Sequence, residues 1–155
     1  VEEWEGVHRP IIMNFFEREV YGLMPQKQVP MSFDVISETK GALGGKAIRR
    51  EVAIRLEGMY APILVLMYIP ADAQGPVPAF LGMNFKGNHQ INADPEITIS
   101  VNAPKKEVLG SDPERGAATS RWPLELLMDS GYALVTIYRG DVDPDFDDGF
   151  RNGIC

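Results

Sequence analysis

A polar loop that follows an apolar run holds the side chains best suited to chemistry. Residues 77–83, V-P-A-F-L-G-M, carry no charge, which is typical of a strand buried on both faces of a parallel sheet. Ligands of open α/β sheets bind at the carboxyl ends of the strands, where this loop would begin. Gly87 permits close approach of the backbone and Asn88 tolerates positive φ, so the loop could direct main-chain N–H groups at an anion. The sequence therefore predicts a binding loop made of Asn84, Phe85, Lys86, Gly87, Asn88 and His89.

A second apolar run is likewise followed by a polar loop. Residues 131–138, G-Y-A-L-V-T-I-Y, predict another buried strand, and an acidic loop with alternating aspartates follows it. Alternate carboxylates can converge on calcium, but an EF-hand loop starting at Asp141 needs Gly at its sixth and Glu at its twelfth position. The sequence has Phe146 and Asn152 there, so we predict no metal site and assign the aspartates to local hydrogen bonds with backbone N–H groups.

The sequence contains no recognisable catalytic group. There is no G-x-S-x-G elbow, and the serines lie in strand, loop or cap contexts. His89 could act as a general base, but such a base needs a nucleophile within hydrogen-bond reach, so a loop-ordering role is favoured. Zinc-protease, C-x-x-C, Walker and G-x-G-x-x-G patterns are absent. We therefore assign no catalytic residue and no cofactor within this sequence.

The first elements that must position the loop are a helix and three strands. Residues 9–23 carry apolar side chains at helical spacing, with Pro10 in the first turn and Pro25 as the stop. Residues 31–38 and 46–57 alternate, and the second stretch predicts a strand with Val52, Ile54 and Leu56 towards the core and Glu51, Arg55 and Glu57 in water. Residues 62–69 predict a more buried strand.

A second helix is predicted to start near residue 120, with Ser120 as its cap, Pro123 in its first turn and Gly131 after its end. With the strands at 77–83 and 131–138 it forms a βαβ unit, whose crossover should be right-handed. The preceding segment, 92–118, has little apolar period. Segments of this kind are often functional, so it could be a lid over the site, or equally a decorative insertion with a short strand at 97–101.

Composition fits a single globular domain over residues 1–155. The chain is 45% hydrophobic and 24% charged, with a net charge of −7, which argues against nucleic acid and anionic membranes as partners. No apolar run reaches the roughly 18 residues of a membrane span. Cys155 is the only cysteine, so an internal disulfide is impossible and the redox compartment stays open.

Several segments carry a resemblance to a known family. L-G-M-N-F-K-G-N-H (81–89), S-R-W-P-L-E (120–125) and G-Y-A-L-V-T-I-Y-R-G-D-V-D-P-D-F-D-D-G-F (131–150) resemble the glucuronoyl esterases. These are α/β-hydrolase serine esterases that act on lignin–carbohydrate esters and are often labelled acetyl xylan esterases. The segments 10–25 and 44–52 fit the same family, so the resemblance spans nearly the whole chain.

The resemblance implies a fold class and an activity. The fold would be α/β: the N-terminal part of one α/β-hydrolase domain, a three-layer αβα sandwich with an antiparallel start that feeds a parallel sheet. It would stop before the G-C-S-R-x-G-K type elbow that carries the family's serine. The activity would be hydrolysis of small-molecule or polysaccharide esters from plant cell walls through a serine acyl-enzyme, in a secreted or periplasmic protein.

The resemblance also gives the site residues their expected roles. The loop 84–89 would help to line the oxyanion hole. Arg121 and Trp122 would hold the helix that covers the sheet, and Arg139, Asp141 and Asp143 would fix the loop that leaves the last strand.

Two interpretations follow from the sequence. In the first, the chain is part of a longer esterase and is inactive alone, because the strand at 77–83 would pair with 131–138 on one side and find no partner on the other. In the second, it is a non-catalytic domain that binds a carbohydrate or another protein. In either case a second chain could complete the open edge of the sheet.

Overall fold

The computed structural model of the protein describes residues 1–23, 29–103, 114–147 and 149. These residues contain a mixed sheet of five strands: β1 (Met31–Ala42), β2 (Ala47–Leu56), β3 (Ile63–Pro70), β4 (Ala79–Asn84) and β5 (Ala133–Tyr138). The strand order is β1-β2-β3-β5-β4, and only the β4–β5 pair is parallel. The predicted α/β class, with an antiparallel start that leads into parallel pairing, is confirmed.

The N-terminal helix is present but shifted towards the N-terminus. A π-helical turn (Trp4–His8) leads into α1 (Arg9–Phe16), and a second π-helical turn (Glu17–Tyr21) ends at Gly22, whose φ is 80°. Pro25, the predicted stop, lies outside the described residues. The whole segment buries none of its side chains, and Phe15 is 56% exposed. No helix among the described residues is long and apolar enough to cross a membrane.

The buried face of β2 is the opposite of the predicted one. Arg49 and Glu51 are each 1% exposed, whereas Val52 and Ile54 on the other face are only half-buried. The reason lies in the segment 94–98, which covers the charged face with polar groups. Thr98 donates to both carboxylate oxygens of Glu51, from its N–H at 2.9 Å and its hydroxyl at 3.0 Å. The prediction of a water-exposed Glu51 is therefore wrong.

The segment that follows the binding loop packs on the sheet instead of standing over the site. Ile91, Ile97 and Ala103 are buried, and Ile91 and Ile97 join the hydrophobic core. Residues 97–101 form no strand. None of residues 92–103 lines the groove described below, and residues 104–113 lie outside the described ranges, so the lid interpretation of the segment 92–118 stays a prediction.

The crossover from β4 to β5 contains the second helix, α2 (Leu124–Asp129), which buries Leu124 and Met128 against the core. Ser120 does not cap it, because the polypeptide first makes a 3-10 turn (Thr119–Arg121) and the residue before α2 is Pro123. The predicted end at Gly131 is confirmed: its φ is 76° and its N–H donates to the Met128 carbonyl. A shorter helix, α3 (Arg139–Val142), starts directly after β5, where a loop was predicted.

Strand β4 lies at the edge of the sheet and is largely exposed. Leu81 is 76% and Met83 55% exposed, so the prediction of burial on both faces is wrong for this strand. The physical reason is that one face of the sheet is uncovered by the elements described above. Strand register places an apolar row on that face across all the strands: Val35, Val52, Val65, Ile137 and Met83.

Candidate functional site

The predicted binding loop lies where β4 and β5 end together. Asn84 is the last residue of β4, Tyr138 is the last of β5, and the two are opposite each other in the parallel register. The loop leaves from one strand and α3 from its neighbour, so both polar segments emerge at the same carboxyl edge. This is the edge at which ligands bind in open α/β sheets.

Two buried asparagines hold the loop in place. The Asn84 amide nitrogen donates to Asn88 Oδ1 at 2.7 Å and to Thr136 Oγ1 at 3.2 Å. Asn88 in turn donates its Nδ2 hydrogen to the Leu64 carbonyl at 2.8 Å. Both amides are buried, so these bonds tie the loop to β5 and β3 without competition from water.

Gly87 occupies a position that only glycine can fill. Its φ is 116°, and a Cβ there would lie 2.6 Å from His89 Cε1. Its N–H donates to Asn84 Oδ1 at 2.9 Å. The Gly87 N–H is therefore used inside the loop and is not one of the main-chain N–H groups that the loop could direct at an anion.

His89 is turned into the protein. It lies in a 3-10 turn (Asn88–Gln90) and is 1% exposed, and its carbonyl accepts the N–H of Gly116 at 3.0 Å. Lys86 and Phe85, by contrast, are exposed. The burial of His89 favours the loop-ordering role over that of a general base, which would have to reach a substrate.

Asp141 is the polar centre of the second segment. Its Oδ2 accepts the Leu64 N–H at 3.2 Å, and its Oδ1 accepts the Ser100 hydroxyl and, at 3.2 Å, the Asn102 amide. Leu64 is thus held by Asp141 at its N–H and by Asn88 at its carbonyl. Burial raises the pKa of Asp141, and the hydrogen bonds it accepts only partly oppose that rise.

The raised pKa of Asp141 predicts a stability that falls with increasing pH. Between the unfolded-state pKa of about 3.9 and the higher folded-state pKa, the folded protein binds more protons than the unfolded protein. The contribution of Asp141 is therefore complete below the lower pKa and is lost as the pH rises through the higher one. Wild type and Asp141→Asn should be compared by urea unfolding between about pH 3.5 and pH 8. The free energy of unfolding of wild type, relative to that of the variant, should fall as the pH rises. A pH-independent difference would exclude the raised pKa.

The remaining predicted support residues differ in how firmly they are held. Arg139 forms an ion pair with Asp145, and its guanidinium lies 5.8 Å from the centroid of the Phe85 ring. This contact joins α3 to the binding loop. Asp143 is exposed, and among the contacts of the described residues only its main-chain N–H is engaged, donating to the Arg139 carbonyl at 3.0 Å. Arg139 thus contacts the binding loop and Asp141 contacts the strand that holds Asn88, while Asp143 contacts neither among the described residues.

Arg121 and Trp122 lie beside the same loop and help to form a groove of about 470 Å³. A Cβ on Gly82 would lie 3.6 Å from Trp122 Cη2, so the indole packs over the glycine of β4. Six of the predicted residues line the groove: Asn84, Phe85, Lys86, Gly87, Arg121 and Trp122. The lining also contains residues that were not predicted as site residues: Met83, Gln90, Ile91, Glu114, Ala117, Ala118 and Ser120. Asn88 and His89 lie outside this lining.

Sequence reasoning missed Leu64, Thr136, Ser100 and Asn102 as members of the site. Ser100 and Asn102 lie in an irregular segment, and Leu64 takes part only through its backbone. The Ser100 hydroxyl donates to a carboxylate and also accepts the Asn102 N–H at 3.0 Å, so it is an ordering group. No serine in the described ranges lies at a strand-to-helix turn, and no three His, Cys, Asp or Glu side chains converge there as metal ligands.

Comparisons with known proteins connect this arrangement to one group of enzymes. No protein-family model matches the chain. A carbohydrate esterase, MZ0003, from an unknown prokaryotic organism is 40% identical over 156 residues, covering 94% of this chain and 35% of that protein. A glucuronoyl esterase from Solibacter usitatus superimposes with a TM-score of 0.80 at 34% identity, covering 99% of this chain and 40% of its own.

This chain resembles the glucuronoyl esterases in both sequence and fold. A third relative, a promiscuous CE15 esterase from a marine bacterial metagenome, has a TM-score of 0.78 at 35% identity over 95% of this chain and 38% of its own. The predicted resemblance is confirmed, and so is the fold: the mixed sheet corresponds to part of the α/β-hydrolase sheet of these esterases. The chain spans only about 35% to 40% of the length of these relatives.

Proposed function

We propose that the protein is a carboxylic ester hydrolase that acts on carbohydrate, most specifically on glucuronoyl esters of lignin–carbohydrate complexes. The observation that carries this proposal is the match to a glucuronoyl esterase, at 34% identity and a TM-score of 0.80 over 99% of the chain. Similarity at that level, over every described strand, makes a shared reaction a better hypothesis than a shared fold alone. By the same resemblance, the protein would be secreted or periplasmic.

In this proposal the 155 residues are part of a single α/β-hydrolase domain and build one wall of its active site. The reaction is acyl transfer: a serine attacks the ester carbonyl, the alcohol leaves, and water releases the uronate. The buried Asn84 and Asn88 amides would fix the loop 84–89 beside the reacting carbonyl. Pre-organised polar groups of this kind cost no rearrangement during reaction.

The nucleophile is proposed to lie outside these 155 residues. Ser100 is engaged with Asp141, and Ser37 lies within β1. Ser120 lies inside the 3-10 turn and Ser130 directly follows α2, and no base contacts either side chain among the described residues. Ser32 is also within β1, and Ser111 is outside the described residues. The support residues Arg121, Trp122, Arg139, Asp141 and Asp143 would act on the site by holding its loops.

We expect the 155-residue polypeptide to be inactive and a longer product of the same reading frame to be active. The measurement is release of methanol from methyl glucuronate and of acetate from acetylated xylan, with both polypeptides at equal concentration. Hydrolysis by the longer polypeptide alone supports the proposal. Hydrolysis by the 155 residues would show that the nucleophile has been placed wrongly, and hydrolysis by neither would remove the esterase function.

A second candidate, a non-catalytic binding domain, is favoured by the open sheet. Strand β4 has a neighbour only on the β5 side in the described sheet, and Leu81 and Phe80 are 76% and 55% exposed. An edge of this kind can pair with a strand from another chain. Light scattering of the 155-residue polypeptide distinguishes a monomer from a complex paired at this edge. A stable monomer with slow amide exchange at 79–84 would exclude such pairing.

A further inference from the structure

The groove beside the binding loop carries an unusual charge for this protein. The chain has a net charge of −7, yet Lys86 and Arg121 are both exposed at the rim of the groove. In the described part of the chain neither side chain makes an ion pair or a hydrogen bond. Several other basic side chains are neutralised locally, since Arg49, Arg50, Arg55 and Arg139 all pair with carboxylates. The two groove cations are therefore available to an anion from solution.

The rest of the lining fits a sugar ring better than a bare ion. Trp122 forms one wall and is half-buried, and the faces of pyranose rings pack on indoles through their C–H groups. Gln90 lies at the base and is 8% exposed, with its Nε2 donating to Glu114 Oε2 at 3.2 Å. A neutral amide does not cancel the charge of the Glu114 carboxylate, but two cations against this one carboxylate still leave the groove lining with an excess of positive charge. A volume of about 470 Å³ accommodates one or two sugar units.

We propose that this groove binds an acidic sugar, with the free carboxylate of a hexuronate held by Lys86 and Arg121 and its ring packed on Trp122. The inference rests on the proposed function, which supplies carbohydrate as the ligand class, and adds a preference to it. An esterified uronate is neutral at its carboxyl group and gains nothing from the two cations. The groove therefore selects a second uronate, unesterified, in the same glycan, and the protein prefers acidic polysaccharide chains.

Binding of sodium glucuronate to the intact protein tests the proposal without requiring catalysis. In a calorimetric or NMR titration, the double substitution Lys86→Met and Arg121→Met should raise the dissociation constant about tenfold or more, since it removes both charge-assisted contacts. Wild-type affinity should also fall as salt rises from about 0.05 M to about 0.5 M. The matched control is Lys40→Met, an exposed lysine on β1 far from the groove, which should leave affinity unchanged.

Two further ligands define the specificity. Methyl glucuronate, which has no charge, should bind wild type and the double variant equally, and sodium acetate should bind more weakly than glucuronate because it lacks the ring. Both substituted side chains are exposed, so unfolding in urea should confirm that the variant is folded. Equal glucuronate affinity in wild type and double variant, or equal affinity for acetate and glucuronate, would overturn the proposal.

The outcome is separable from that of the proposed function. If the protein hydrolyses esters but binds glucuronate equally well with and without Lys86 and Arg121, the proposed groove is rejected and the esterase function stands. Charge-dependent glucuronate binding without any ester hydrolysis by the longer polypeptide would support the groove and reject the esterase function.

Discussion

Replacing Arg49 by methionine should lower the free energy of unfolding by about 3 kcal/mol, the low end of the range for breaking a buried ion pair. The guanidinium is 1% exposed and contacts Asp94, Glu96 at 2.9 Å and Thr39 at 2.9 Å. It therefore anchors the segment 94–98 to β1 and β2. Asp94 and Glu96 keep some access to water, which limits the loss of stability when their partner is removed. Urea denaturation with linear extrapolation gives the difference.

The matched control is Arg55→Met. Arg55 pairs with Asp34 at 3.2 Å, and both side chains are 56% exposed, so solvent screens the pair and the expected loss is about 0–1 kcal/mol. If the two substitutions cost the same, Arg49 is not the anchor of the segment. Because Ser100 and Asn102 follow directly and contact Asp141, release of this segment should also loosen the candidate site.

Replacing Asn88 by alanine should affect both stability and activity. It leaves the Leu64 carbonyl and one Asn84 hydrogen without partners in the buried region, at a cost of about 1–3 kcal/mol for each group. It also frees the loop that the proposed reaction uses. In the longer product of the reading frame, we expect kcat/KM for a uronoyl ester to fall by more than tenfold in protein that is still folded, since positioning errors of about an ångström have effects of that size.

The control for Asn88 is Gln74→Ala, another amide truncation. Gln74 is exposed and donates to the Asp72 carbonyl at 3.1 Å, so neither stability nor kinetics should change. Activity is compared only between samples whose folded fraction is measured by circular dichroism. Unchanged kinetics in folded Asn88→Ala would show that the loop 84–89 is not part of the active site.

Local patterns in the sequence were sufficient to predict where the strands form. The alternation in β2, the uncharged run in β4 and the glycine after α2 depend on neighbours within a few residues, and all of these elements formed where predicted. The loop 84–89 and Arg139 likewise meet at the carboxyl edge, because strand topology fixes that meeting point.

The predictions that failed depend on contacts with residues distant in sequence. Whether Glu51 faces water is decided by Thr98. Asp141, for which local hydrogen bonds were predicted, bonds instead to the distant Leu64 and Ser100. The run 77–83 predicted burial because it lacks charge, but burial also needs elements that cover both faces of β4. No periodicity in a strand contains that information.

Labelling with a fluorophosphonate, followed by peptide mapping, tests most directly whether these residues form the supporting wall of a serine esterase. The reagent forms a stable adduct with an activated serine and ignores unactivated ones. In the longer product of the reading frame we predict one labelled serine, outside residues 1–155, and loss of ester hydrolysis in step with labelling. A label on Ser100, Ser120 or any other serine of these 155 residues, or hydrolysis that survives without a labelled serine, would contradict it.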